Sequence, residues 1–494
     1  MTATGAYPLC GRGRINTYAV FAELMRNATS PTGRTGMIVQ TGIATDDTTK
    51  HFFSDLVRNR SVVSLYDFQN RKGIFPSVGS NVRFCLLTLG GRQSLLDEMR
   101  FAFLANEIAD IDNPDRNYAL SRTDLLLVNP NTQTTPTFRN RRDADITTAI
   151  YRRVPILLRE EDPDGNPWHV SFKQGYFNMT AASHLFRTRD DLEQAGWAKR
   201  GNQFVREREC YVPLYVLPMV HQFDHRWATY ESGKYRDVTE SEKRDPTFVS
   251  LPEFWVPAPE TNRRIGDDRR WLLGWRDIAR SGDRRTVIVM GHPRTGVGNN
   301  LPQFVSQKSH LARLTLLSAA LNSFACDFVA RQKISSAHVN FFAMRQLAVP
   351  KPNDLKAHQA FIEPRVVELC YTAWDMIDFV AELGRQSPPY QWNSERRALI
   401  RAELDALMFH LYGINRDDAD YILDTFDILQ RGEIKHWGEY RTKRLILERY
   451  DAMGEAGSAG RAYETVLDPP PAHPSMAHEE ATRPGWVSQS ETGP

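Results

Sequence analysis

The stretch Gly33–Lys50 contains the first residues whose types and spacing suit chemistry. Its letters, GRTGMIVQTGIATDDTTK, give a short apolar run, a turn, and then the carboxylate pair Asp46 and Asp47. The run lacks polar alternation and is too short for a helix, so it predicts a strand buried on both faces. Adjacent carboxylates can act as general acid and base, but Thr45, Asp46 and Asp47 before a helical pattern favour a helix N-cap. Since ligands of open α/β sheets bind at the carboxyl ends of strands, this loop is a candidate binding edge.

Three further motifs carry the residue types of known sites without their full spacing. The segment His221–His225 (HQFDH) places two histidines four residues apart, as in zinc sites, but it lacks the metalloprotease glutamate. It favours a buried polar cluster that ties two parts of the chain together. The segment Gly291–Gly298 lacks the Gly-Lys-Ser/Thr ending of a phosphate loop and predicts a turn-rich loop between strands. The segment Asn166–Trp168 (NPW) predicts a surface turn.

Length and composition limit the class of protein. The chain has 494 residues, of which 41% are hydrophobic, and a net charge of +2, which favours a globular protein of several domains. Its five cysteines are scattered singly, which argues for a reducing compartment and against a thiolate zinc site. The sequence has no apolar run of bilayer length and no signal-peptide pattern. We therefore expect a soluble, cytoplasmic protein with no membrane segment.

The elements that must position the first motif lie in residues 1–120. A helical pattern begins at Thr17 and places Tyr18, Phe21, Leu24 and Met25 on one face. Besides the run in Gly33–Lys50, strands are predicted at 62–68 and 83–89. A doubly wound domain usually has five or more strands, and no Gly-rich strand-to-helix turn precedes Tyr18. The pattern therefore indicates the second half of a Rossmann-type domain.

Residues 121–350 combine turn-rich strings and short strands with blocks of arginine. The aromatic residues Phe138, Tyr151, Trp168, Trp271 and Trp275 stand among these blocks. Arginine with interleaved aromatics on loops suits a surface that contacts phosphates and reads base edges. The alternative is ordinary surface charge, because aspartates are interspersed. A buried helix at 311–324 and a strand at 340–342 are also predicted. The arginine blocks contain Arg139, Arg141, Arg142, Arg152, Arg153, Arg263, Arg264, Arg269, Arg270, Arg280, Arg284 and Arg285.

The last part of the chain predicts helices and then a tail. Pro350-Lys351-Pro352 marks a boundary, after which apolar periodicity predicts helices at 355–385, 394–412, 416–429 and 440–453. Residues 454–494 are rich in Pro, Ser, Gly and Glu and are predicted to be disordered. The predicted division is 1–120, 121–350, 351–453 and 454–494.

Nine strings of the sequence carry a resemblance to a known family: 8–13, 16–21, 33–50, 65–70, 75–76, 138–143, 221–226, 331–333 and 438–444. Together they resemble the adenine-N6 DNA methyltransferases of the Eco57I-like, type IIG restriction–modification kind, with related phage-defence methylases. Two motifs of that family are missing: its Gly-rich cofactor motif and its catalytic Asn-Pro-Pro-aromatic motif. That chemistry holds the amine of a flipped adenine with an Asn side chain and a prolyl carbonyl, beside a stacked aromatic ring.

The resemblance implies roles for individual residues. Asn16, Tyr18 and Phe21 would border the adenine pocket of S-adenosylmethionine; the alternative is that both rings are core. The loop from Arg71 to Phe75 would approach the flipped base, with Phe75 stacking on it; the alternative is that Phe75 anchors the loop. The arginines Arg139, Arg141 and Arg142 would belong to the DNA-binding surface, and Arg331 and Lys333 would contact backbone phosphates. No catalytic residue and no metal ligand is assigned.

These implications define the expected fold and function. We expect an α/β protein: a partial Rossmann-type methyltransferase half-domain, then a mixed α/β target recognition domain and a helical C-terminal region. The expected function is that of the C-terminal portion of a site-specific adenine-N6 DNA methyltransferase of a restriction–modification or phage-defence system. The chain alone is expected to be inactive, and a chain encoded upstream would supply the missing half. The alternative is a non-catalytic DNA-binding specificity subunit; both bind double-stranded DNA.

Overall fold

The computed structural model describes residues 5–12, 15–266, 269–280, 282–307, 311–334 and 337–487. The described chain forms two compact units of mixed α/β structure. The first unit comprises Met1–Gly165, Val329–Ser336 and Phe342–Ala348. The second comprises Asn166–Phe328, Ala337–Phe341 and Val349–Pro494. The division after Gly165 differs from the predicted boundary at residue 120, and the predicted helical region belongs to the same compact unit as residues 166–328.

A five-stranded sheet with the order β1-β3-β2-β4-β5 forms the centre of the first unit. Strand β3 runs antiparallel to both β1 and β2, so β1 and β2 point in the same direction. Strand β2 pairs in parallel with β4, and β4 pairs antiparallel with β5. The elements are α1 (Thr17–Ala28), β1 (Arg34–Gln40), α2 (Gly42–Thr45), α3 (Lys50–Arg58), β2 (Val62–Gln69), β3 (Arg83–Gly90), β4 (Glu98–Ala105), α4 (Ala109–Asp112), β5 (Tyr118–Ser121), α5 (Arg122–Val128) and α6 (Arg141–Arg153).

The main core of the first unit lies on one face of this sheet. Helix α3 forms because Phe52, Phe53, Leu56 and Val57 recur at helical spacing, and all four are completely buried. They join Ala19 and Val20 of α1 and Met37 and Val39 of β1 in one apolar cluster, as part of a larger set. The cluster fixes α1 and α3 against the strand that leads to the candidate edge.

Strand β1 lies at an edge of the sheet. Only one of its faces is buried, whereas the sequence predicted burial on both. Met37 and Val39 are buried, whereas Ile38 between them is 60% exposed. The alternation arises because successive side chains of a strand point to opposite faces. The prediction of about three strands was also wrong, because β4 and β5 extend the sheet beyond β2.

The second unit contains two larger sheets and a hairpin. One sheet has the order β14-β13-β16-β6. The other has the order β12-β9-β8-β7, and β15 pairs in parallel with its strand β9. Strands β10 and β11 form the hairpin. Helices α11 and α12 contribute residues to both units. The strands are β6 (Val170–Lys173), β7 (Ala198–Arg200), β8 (Gln203–Arg206), β9 (Glu209–Tyr215), β10 (Ala228–Glu231), β11 (Lys234–Asp237), β12 (Trp255–Pro257), β13 (Trp271–Trp275), β14 (Val289–Pro293), β15 (Gly296–Val297) and β16 (Gln303–Ser306). The helices are α7 (Arg189–Gln194), α8 (Glu240–Arg244), α9 (Ala258–Ile265), α10 (Leu311–Leu321), α11 (Phe324–Lys333), α12 (Phe341–Arg345), α13 (Pro352–Lys356), α14 (Gln359–Cys370), α15 (Ile377–Glu382), α16 (Ser394–Tyr412), α17 (Arg416–Asp424), α18 (Asp427–Trp437) and α19 (Arg441–Ser458).

The predicted helices are confirmed with different lengths. Helix α16 matches the prediction at 394–412 and ends at Gly413, whose φ of 71° suits a residue without a side chain. The region 355–385, predicted as one helix, contains parts of three helices, α13, α14 and α15. The chain leaves α-helical geometry between them. The segment predicted as a strand at 340–342 instead begins helix α12. Among the described residues, none of the helices combines the length and apolarity that crossing a bilayer requires.

The tail of the chain is ordered over residues 461–487, contrary to the predicted disorder. Tyr463 and Thr465 donate hydrogen bonds to Glu403 of α16 at 2.8 and 2.7 Å. Further along, the backbone N–H of Ala472 donates to Glu368 of α14 at 2.8 Å. Each partner in α14 or α16 is buried, so the tail replaces water at polar groups of the helices. Residues 488–494 of the predicted tail lie outside the described residues.

Candidate functional site

The carboxyl ends of β1, β2 and β4 meet at one edge of the first unit's sheet, because these strands run in the same direction. Asp67, near the end of β2, is fully buried at this edge. It accepts hydrogen bonds from Thr41 Oγ1 at 2.5 Å, from Arg83 Nη2 at 2.6 Å and from the backbone N–H of Leu104 at 2.9 Å. One carboxylate therefore joins the residue after β1, the start of β3 and the end of β4.

This network positions the edge rather than performing chemistry. The β2–β4 pairing shifts register between Tyr66 and Phe68, and Leu104 adopts a φ of 58°, which is unusual for a residue with a branched side chain. The bond to Asp67 satisfies the Leu104 N–H that this irregularity turns out of the ladder. A buried carboxylate is tolerated only when it is paired and hydrogen-bonded, and here both conditions hold.

A loop of residues 71–82 connects β2 to β3 at the same edge and is held by hydrogen bonds of the Asn70 side chain. The buried side chain of Asn70 donates to the carbonyl oxygens of Phe75 at 2.9 Å and Val78 at 2.7 Å. Its Oδ1 accepts from the Phe75 N–H at 2.9 Å. Gly73 has a φ of 68°, which allows the tight turn after Lys72. The amide therefore holds the base of a loop whose side chains all face solvent.

The loop presents apolar side chains beside cations. Phe75 is 37% exposed and its ring meets Phe84 edge to face, with the centroids 4.8 Å apart. The ring therefore anchors the loop on Phe84 and keeps an accessible face, and its stacking on a base stays a prediction. Arg71 is exposed, and Lys72 pairs with Glu107 at 2.7 Å. The other exposed apolar residues of the loop are Ile74, Val78 and Val82.

The Asp46–Asp47 pair does not cap a helix through its side chains. Helix α3 begins later, at Lys50, and its N-cap Thr49 makes no side-chain capping bond; its hydroxyl donates to the Gly42 carbonyl at 2.6 Å. Asp47 forms an ion pair with Lys50 at 2.8 Å, and Asp46 accepts from Thr45 Oγ1 at 3.1 Å. The predicted cap was wrong because Asp47 begins a short 3₁₀ turn at 47–49 that precedes α3.

The three predicted cofactor residues lie on α1 but do not close a pocket. Asn16 is the exposed N-cap of the helix, and Phe21 is 60% exposed. Tyr18 is half-buried, and its hydroxyl lies close to Gly42 and Asp46: a Cβ on Gly42 would be 3.3 Å from that hydroxyl and 2.5 Å from Asp46 Oδ2. Burial, with the Asp46 charge as the second cause, raises the pKa of the Tyr18 phenol to about 12.

Arg139, Arg141 and Arg142 stand at the start of α6. Asn140 caps this helix by accepting from the Asp143 N–H at 2.8 Å. Arg141 and Arg142 are exposed, and Arg141 lies 3.8 Å from Asp145, a long and solvent-screened ion pair. Arg139 is half-buried. The guanidinium groups of Arg141 and Arg142 therefore lie at the surface, and their predicted contact with phosphates stays a prediction.

Arg331 and Lys333 are buried, which contradicts their predicted role as phosphate contacts. Their exposed fractions are 6% and 8%. The Lys333 ammonium donates to the Val128 carbonyl at 2.5 Å and to the Asn129 side chain, and it lies over the Tyr151 ring. Burial lowers the pKa of this lysine well below its usual value. Lys333 is therefore bound within the first unit, and both buried residues are excluded from the proposed DNA-binding set.

The HQFDH segment forms a buried polar cluster, as predicted, but all its partners belong to the second unit. His225 contacts Asp375 at 2.9 Å, and Asp224 accepts from Lys243 at 2.6 Å. The next residue, Arg226, is fully buried and donates to backbone carbonyls of Lys243, Asp245, Phe248 and Thr372. Within the described chain, no group of three or more His, Cys, Asp or Glu side chains could hold a metal ion. The expected tie between two parts of the chain is therefore a tie within one unit.

The two remaining motifs are structural. Asn166 staples its own turn by exchanging hydrogen bonds with the backbone of Val170 at 2.9 and 3.1 Å. The segment Gly291–Gly298 is mostly strand, in β14 and β15, rather than a loop; its His292 is fully buried. The interleaved aromatics Phe138, Tyr151, Trp168, Trp271 and Trp275 are all buried and so do not read bases.

Sequence reasoning assigned no role to the residues that hold the site together. Asp67 and Asn70 are buried polar groups whose partners are spread over residues 41–104. No local pattern signals such a partner set. The available signal was a polar residue within or directly after an apolar strand, which marks a side chain that needs buried hydrogen bonds.

Comparisons with known proteins give remote structural neighbours. No protein-family model matches the chain, and no curated protein matches it. The type IIG restriction endonuclease BpuSI aligns with 12% identity and a TM-score of 0.29, over 83% of this chain and 50% of that chain. The type IIL restriction–modification enzyme MmeI in complex with DNA aligns with 10% identity and a TM-score of 0.39, over 83% of this chain and 51% of that chain. A DrdV–DNA complex aligns with 8% identity and a TM-score of 0.33, over 73% and 40%.

The chain thus spans about half the length of the first two of these proteins. The identities and TM-scores are too low to assign a family or a shared fold. The functional argument therefore rests on the residues of this chain.

Proposed function

We propose that this chain is the DNA-recognising portion of a site-specific adenine-N6 DNA methyltransferase of a restriction–modification or phage-defence system. The observation that carries the proposal is the loop of residues 71–82. It stands at the carboxyl edge of the sheet, is held from beneath by Asn70, and offers Arg71 and the accessible ring of Phe75. Ligands of α/β sheets bind at this edge, and an exposed aromatic beside a cation suits a base taken out of the stack. The motif resemblance supports the same assignment.

The DNA-binding set that we propose is Arg71, Phe75, Arg139, Arg141 and Arg142. The arginines of this set would contact backbone phosphates, because an exposed guanidinium fork matches phosphate geometry. Phe75 would stack on a base. The buried aromatics and the buried pair Arg331 and Lys333 are left out.

S-adenosylmethionine would be the methyl donor of the complete enzyme. The described residues do not fit a complete pocket for it: Asn16 and Phe21 are exposed, while the Tyr18 hydroxyl faces Gly42 and Asp46 at close range. The three side chains offer at most one wall. The chain is therefore not proposed to bind the cofactor or transfer a methyl group by itself.

A partner that supplies the missing half would join the open edge of β1. Ile38 is exposed on one face of the sheet, while Phe21, Leu24 and Met25 are exposed on helix α1, which covers the other face. An added strand alone would leave these apolar side chains in water. A half-domain that extends the sheet and carries a layer on each face would cover both, so we propose that kind of partner, encoded upstream of this chain.

Methyl transfer by the purified chain tests the proposal. With a tritiated methyl donor and duplex DNA, we expect no incorporation by the chain alone and incorporation after the upstream-encoded partner is added. Incorporation by the chain alone would show that the donor site lies within it. DNA binding that persists with no incorporation in the presence of the partner would favour the non-catalytic specificity subunit.

DNA binding tests the recognition role separately. We expect the chain to bind labelled duplex DNA with an affinity that falls steeply with salt. The double variant Arg141→Ala/Arg142→Ala should reduce the salt slope by about 1 to 2, as the loss of one or two phosphate contacts predicts. Arg58→Ala, an exposed arginine on α3, is the matched control. An equal loss in the control would reject the assignment of these residues.

A further inference from the structure

The second unit has accessible aromatic side chains that lie outside the arginine blocks. Phe186, Trp197 and Tyr211 are each partly exposed, whereas the aromatics that stand among those blocks are buried. The three rings line one cleft of about 570 Å³ between helix α7 and strand β9. Clefts that bind small molecules have volumes of roughly 300 to 1,000 Å³ and are lined mainly by apolar and aromatic side chains. The other lining residues are Arg187, Asp191, Leu192, Gln194 and Ala195.

The aromatic wall of this cleft has a fixed geometry. The rings of Trp197 and Tyr211 meet edge to face, with their centroids 4.8 Å apart and their planes at 84°. Both rings pack on the buried cluster of Leu192, Phe204 and Trp255. The backbone N–H of Trp197 donates to the Leu192 carbonyl at 3.0 Å, which closes the turn after α7. Two rings at a right angle form a corner, so a flat ligand that stacks on one ring meets the other with its edge.

A guanidinium group stands beside this corner. Arg206 lies over the Trp197 ring, with its Cζ 4.6 Å from the ring centroid. It donates to the Ala195 carbonyl at 3.1 Å and forms a long ion pair with Glu209 at 3.4 Å. Because the Arg206 side chain is 48% exposed, the cation stays accessible where a phosphate attached to a stacked base would lie.

The lining of the cleft carries little negative charge. Among its described lining residues, the one carboxylate is that of Asp191, which accepts from the Thr188 N–H at 2.9 Å in the capping box of α7. The one lining cation is Arg187, which donates to two backbone carbonyls just before it at 3.0 and 2.7 Å. Arg206 adds a second cation at the rim, so the cleft does not repel an anionic ligand.

A larger cleft of the same unit, of about 850 Å³, has the opposite charge. Among its described lining residues, five carboxylates stand against two arginines, so it repels a phosphate. Size alone would favour this larger cleft, but charge favours the cleft of Trp197 for an anionic aromatic ligand. The ionisable lining residues of the larger cleft are Asp190, Glu193, Glu231, Glu242, Glu253, Arg189 and Arg236.

A third cleft, of about 540 Å³, also contains a tryptophan, Trp392. The ring of Trp392 already contacts two cations: Lys243 Nζ lies 4.6 Å and Arg397 Cζ 3.7 Å from its centroid. This cleft therefore lacks the paired aromatic corner that Trp197 and Tyr211 form.

We propose that the cleft of Trp197 and Tyr211 binds an unpaired nucleobase together with its phosphate. The base stacks on the aromatic corner, and Arg206 binds the phosphate. Aromatic stacking and cation contacts to the backbone are the two interactions by which proteins hold unpaired nucleotides. The inference rests on the proposed function, in which the chain binds DNA, and adds a site for a base that has left the duplex stack. A free nucleotide has the same chemistry, so both sources are probes of the cleft.

Binding of a short, labelled single-stranded oligonucleotide by the full chain tests the aromatic corner. Trp197→Leu should weaken binding by about 5- to 150-fold, the loss expected for one stacked base. Trp197→Phe, which keeps a ring, should retain most of the affinity. Trp437→Leu is the matched control, because Trp437 is a 51% exposed tryptophan on α18 of the same unit. Wild-type affinity of Trp197→Leu, or an equal loss in the control, would overturn the inference.

Competition by deoxyadenosine monophosphate separates the two sources of the ligand. Competition in the wild type that is lost in Trp197→Leu would extend the site to free nucleotides. No competition, with the oligonucleotide effect of Trp197→Leu intact, would restrict the site to DNA. Binding of a proline-rich peptide that Trp197→Leu abolishes, while oligonucleotide binding is unchanged, would reassign the cleft to a peptide and overturn the inference.

The salt dependence of oligonucleotide binding tests the phosphate contact. Arg206→Gln should reduce the slope of log K against log salt by about 0.7, the value for one phosphate contact on a single strand. Arg244→Gln is the control, because Arg244 lies exposed on α8 of the same unit and pairs with Glu240 at 2.8 Å. Equal slopes in the two variants would contradict the role of Arg206.

Photocrosslinking of the wild-type chain needs no variant. An oligonucleotide that contains 5-iododeoxyuridine should crosslink to the peptide that carries Trp197 or the one that carries Tyr211, as mass spectrometry can show. Crosslinks confined to the peptide of Phe75 would support the proposed function and overturn this inference. A wild-type chain that binds no DNA would reject both.

Discussion

Asp67 is the residue on which the carboxyl edge of the first unit's sheet depends. It is buried and holds together three chain segments through Thr41, Arg83 and Leu104. Because the three segments are far apart in sequence, its loss would affect the edge at several points at once. The loop of residues 71–82 begins only a few residues after it, so the presentation of Phe75 depends on this carboxylate.

Replacement of Asp67 should be costly. Asp67→Ala leaves Arg83 and the Leu104 N–H without their acceptor, and we expect the free energy of unfolding to fall by about 3 to 4 kcal/mol in urea titrations. The control is Asp47→Ala, whose 44% exposed side chain pairs with Lys50 at 2.8 Å. An exposed pair of that kind contributes roughly 0 to 1 kcal/mol. Similar losses in the two variants would contradict the assigned role of Asp67.

Asp405 of α16 is also a buried carboxylate, but its ionised form destabilises the fold, unlike that of Asp67. The size of this penalty depends on pH. Burial raises its folded-state pKa to about 6, against roughly 3.9 in an unfolded chain. Between these values the native state binds more protons, so stability falls as pH rises and the full penalty is present above pH 6. Asp405→Asn should therefore stabilise the protein by about 2 to 3 kcal/mol near neutral pH and change little near pH 4.

Urea unfolding at the two pH values checks this prediction. The asparagine keeps an oxygen that accepts from the Phe324 N–H, so the change removes the charge and not the bond. Asp451→Asn is the control, because Asp451 is exposed and pairs with Arg416 at 2.9 Å. A destabilised Asp405→Asn variant near neutral pH would show that the nearby arginine charges stabilise the ionised form.

The sequence could not separate cations that face solvent from cations that are buried. Arg141 and Lys333 both stand in basic, polar strings, but only Arg141 is exposed. The difference depends on the carbonyl of Val128 and the side chain of Asn129, which accept hydrogen bonds from the Lys333 ammonium. Both lie about 200 residues before Lys333 in the sequence. Local composition carries no information about such acceptors.

At the scale of elements, the open edge of β1 is the part of the first unit's sheet to which another strand could pair. Exposed edge strands invite pairing with other chains, and charged side chains suppress it. Ile38→Lys should therefore reduce concentration-dependent self-association of the purified chain in sedimentation experiments, and it should also block complementation by the partner that we propose. Ile108→Lys, at a 72% exposed position outside β1, is the control. If both variants behave alike, the association does not involve this edge.

Strands β1, β2 and β3 were predictable because each contains a run of mostly apolar residues. Strand β4 was not, since Glu98 and Arg100 interrupt its pattern and its pairing with β2 is distant in sequence. The edge position of β1 was equally hidden. Its two faces have similar apolar residues, and only the arrangement of the sheet shows that Ile38 is uncovered.

At the scale of the whole molecule, the ordered tail packs on helices of the second unit. Residues 461–487 cross α14 and α16 and satisfy Glu368 and Glu403, each of which is also paired with an arginine. Composition predicted disorder because it counts Pro, Ser and Gly within the segment. The order comes instead from buried acceptors that lie in helices 60 to 104 residues earlier.

Limited proteolysis checks the order of the tail. We expect residues 461–487 to stay attached under native conditions, since their backbone and side chains are bound to α14 and α16. The variant Tyr463→Phe/Thr465→Val removes two bonds to Glu403 and should speed cleavage in the tail. Val466→Ala, at an exposed neighbouring position, is the control. Rapid removal of the wild-type tail would support the disorder that composition predicts.

The single-sided pairing of β1 has a consequence for amide hydrogen exchange. In an antiparallel ladder, alternate residues of an edge strand direct their N–H groups to the partner strand and the others to solvent. Along Arg34–Gln40, protected and fast-exchanging amides should therefore alternate with a period of two. A half-domain that added a strand to β1 would protect the fast set and erase the alternation. The exchange pattern of seven residues would then report whether the sheet is complete.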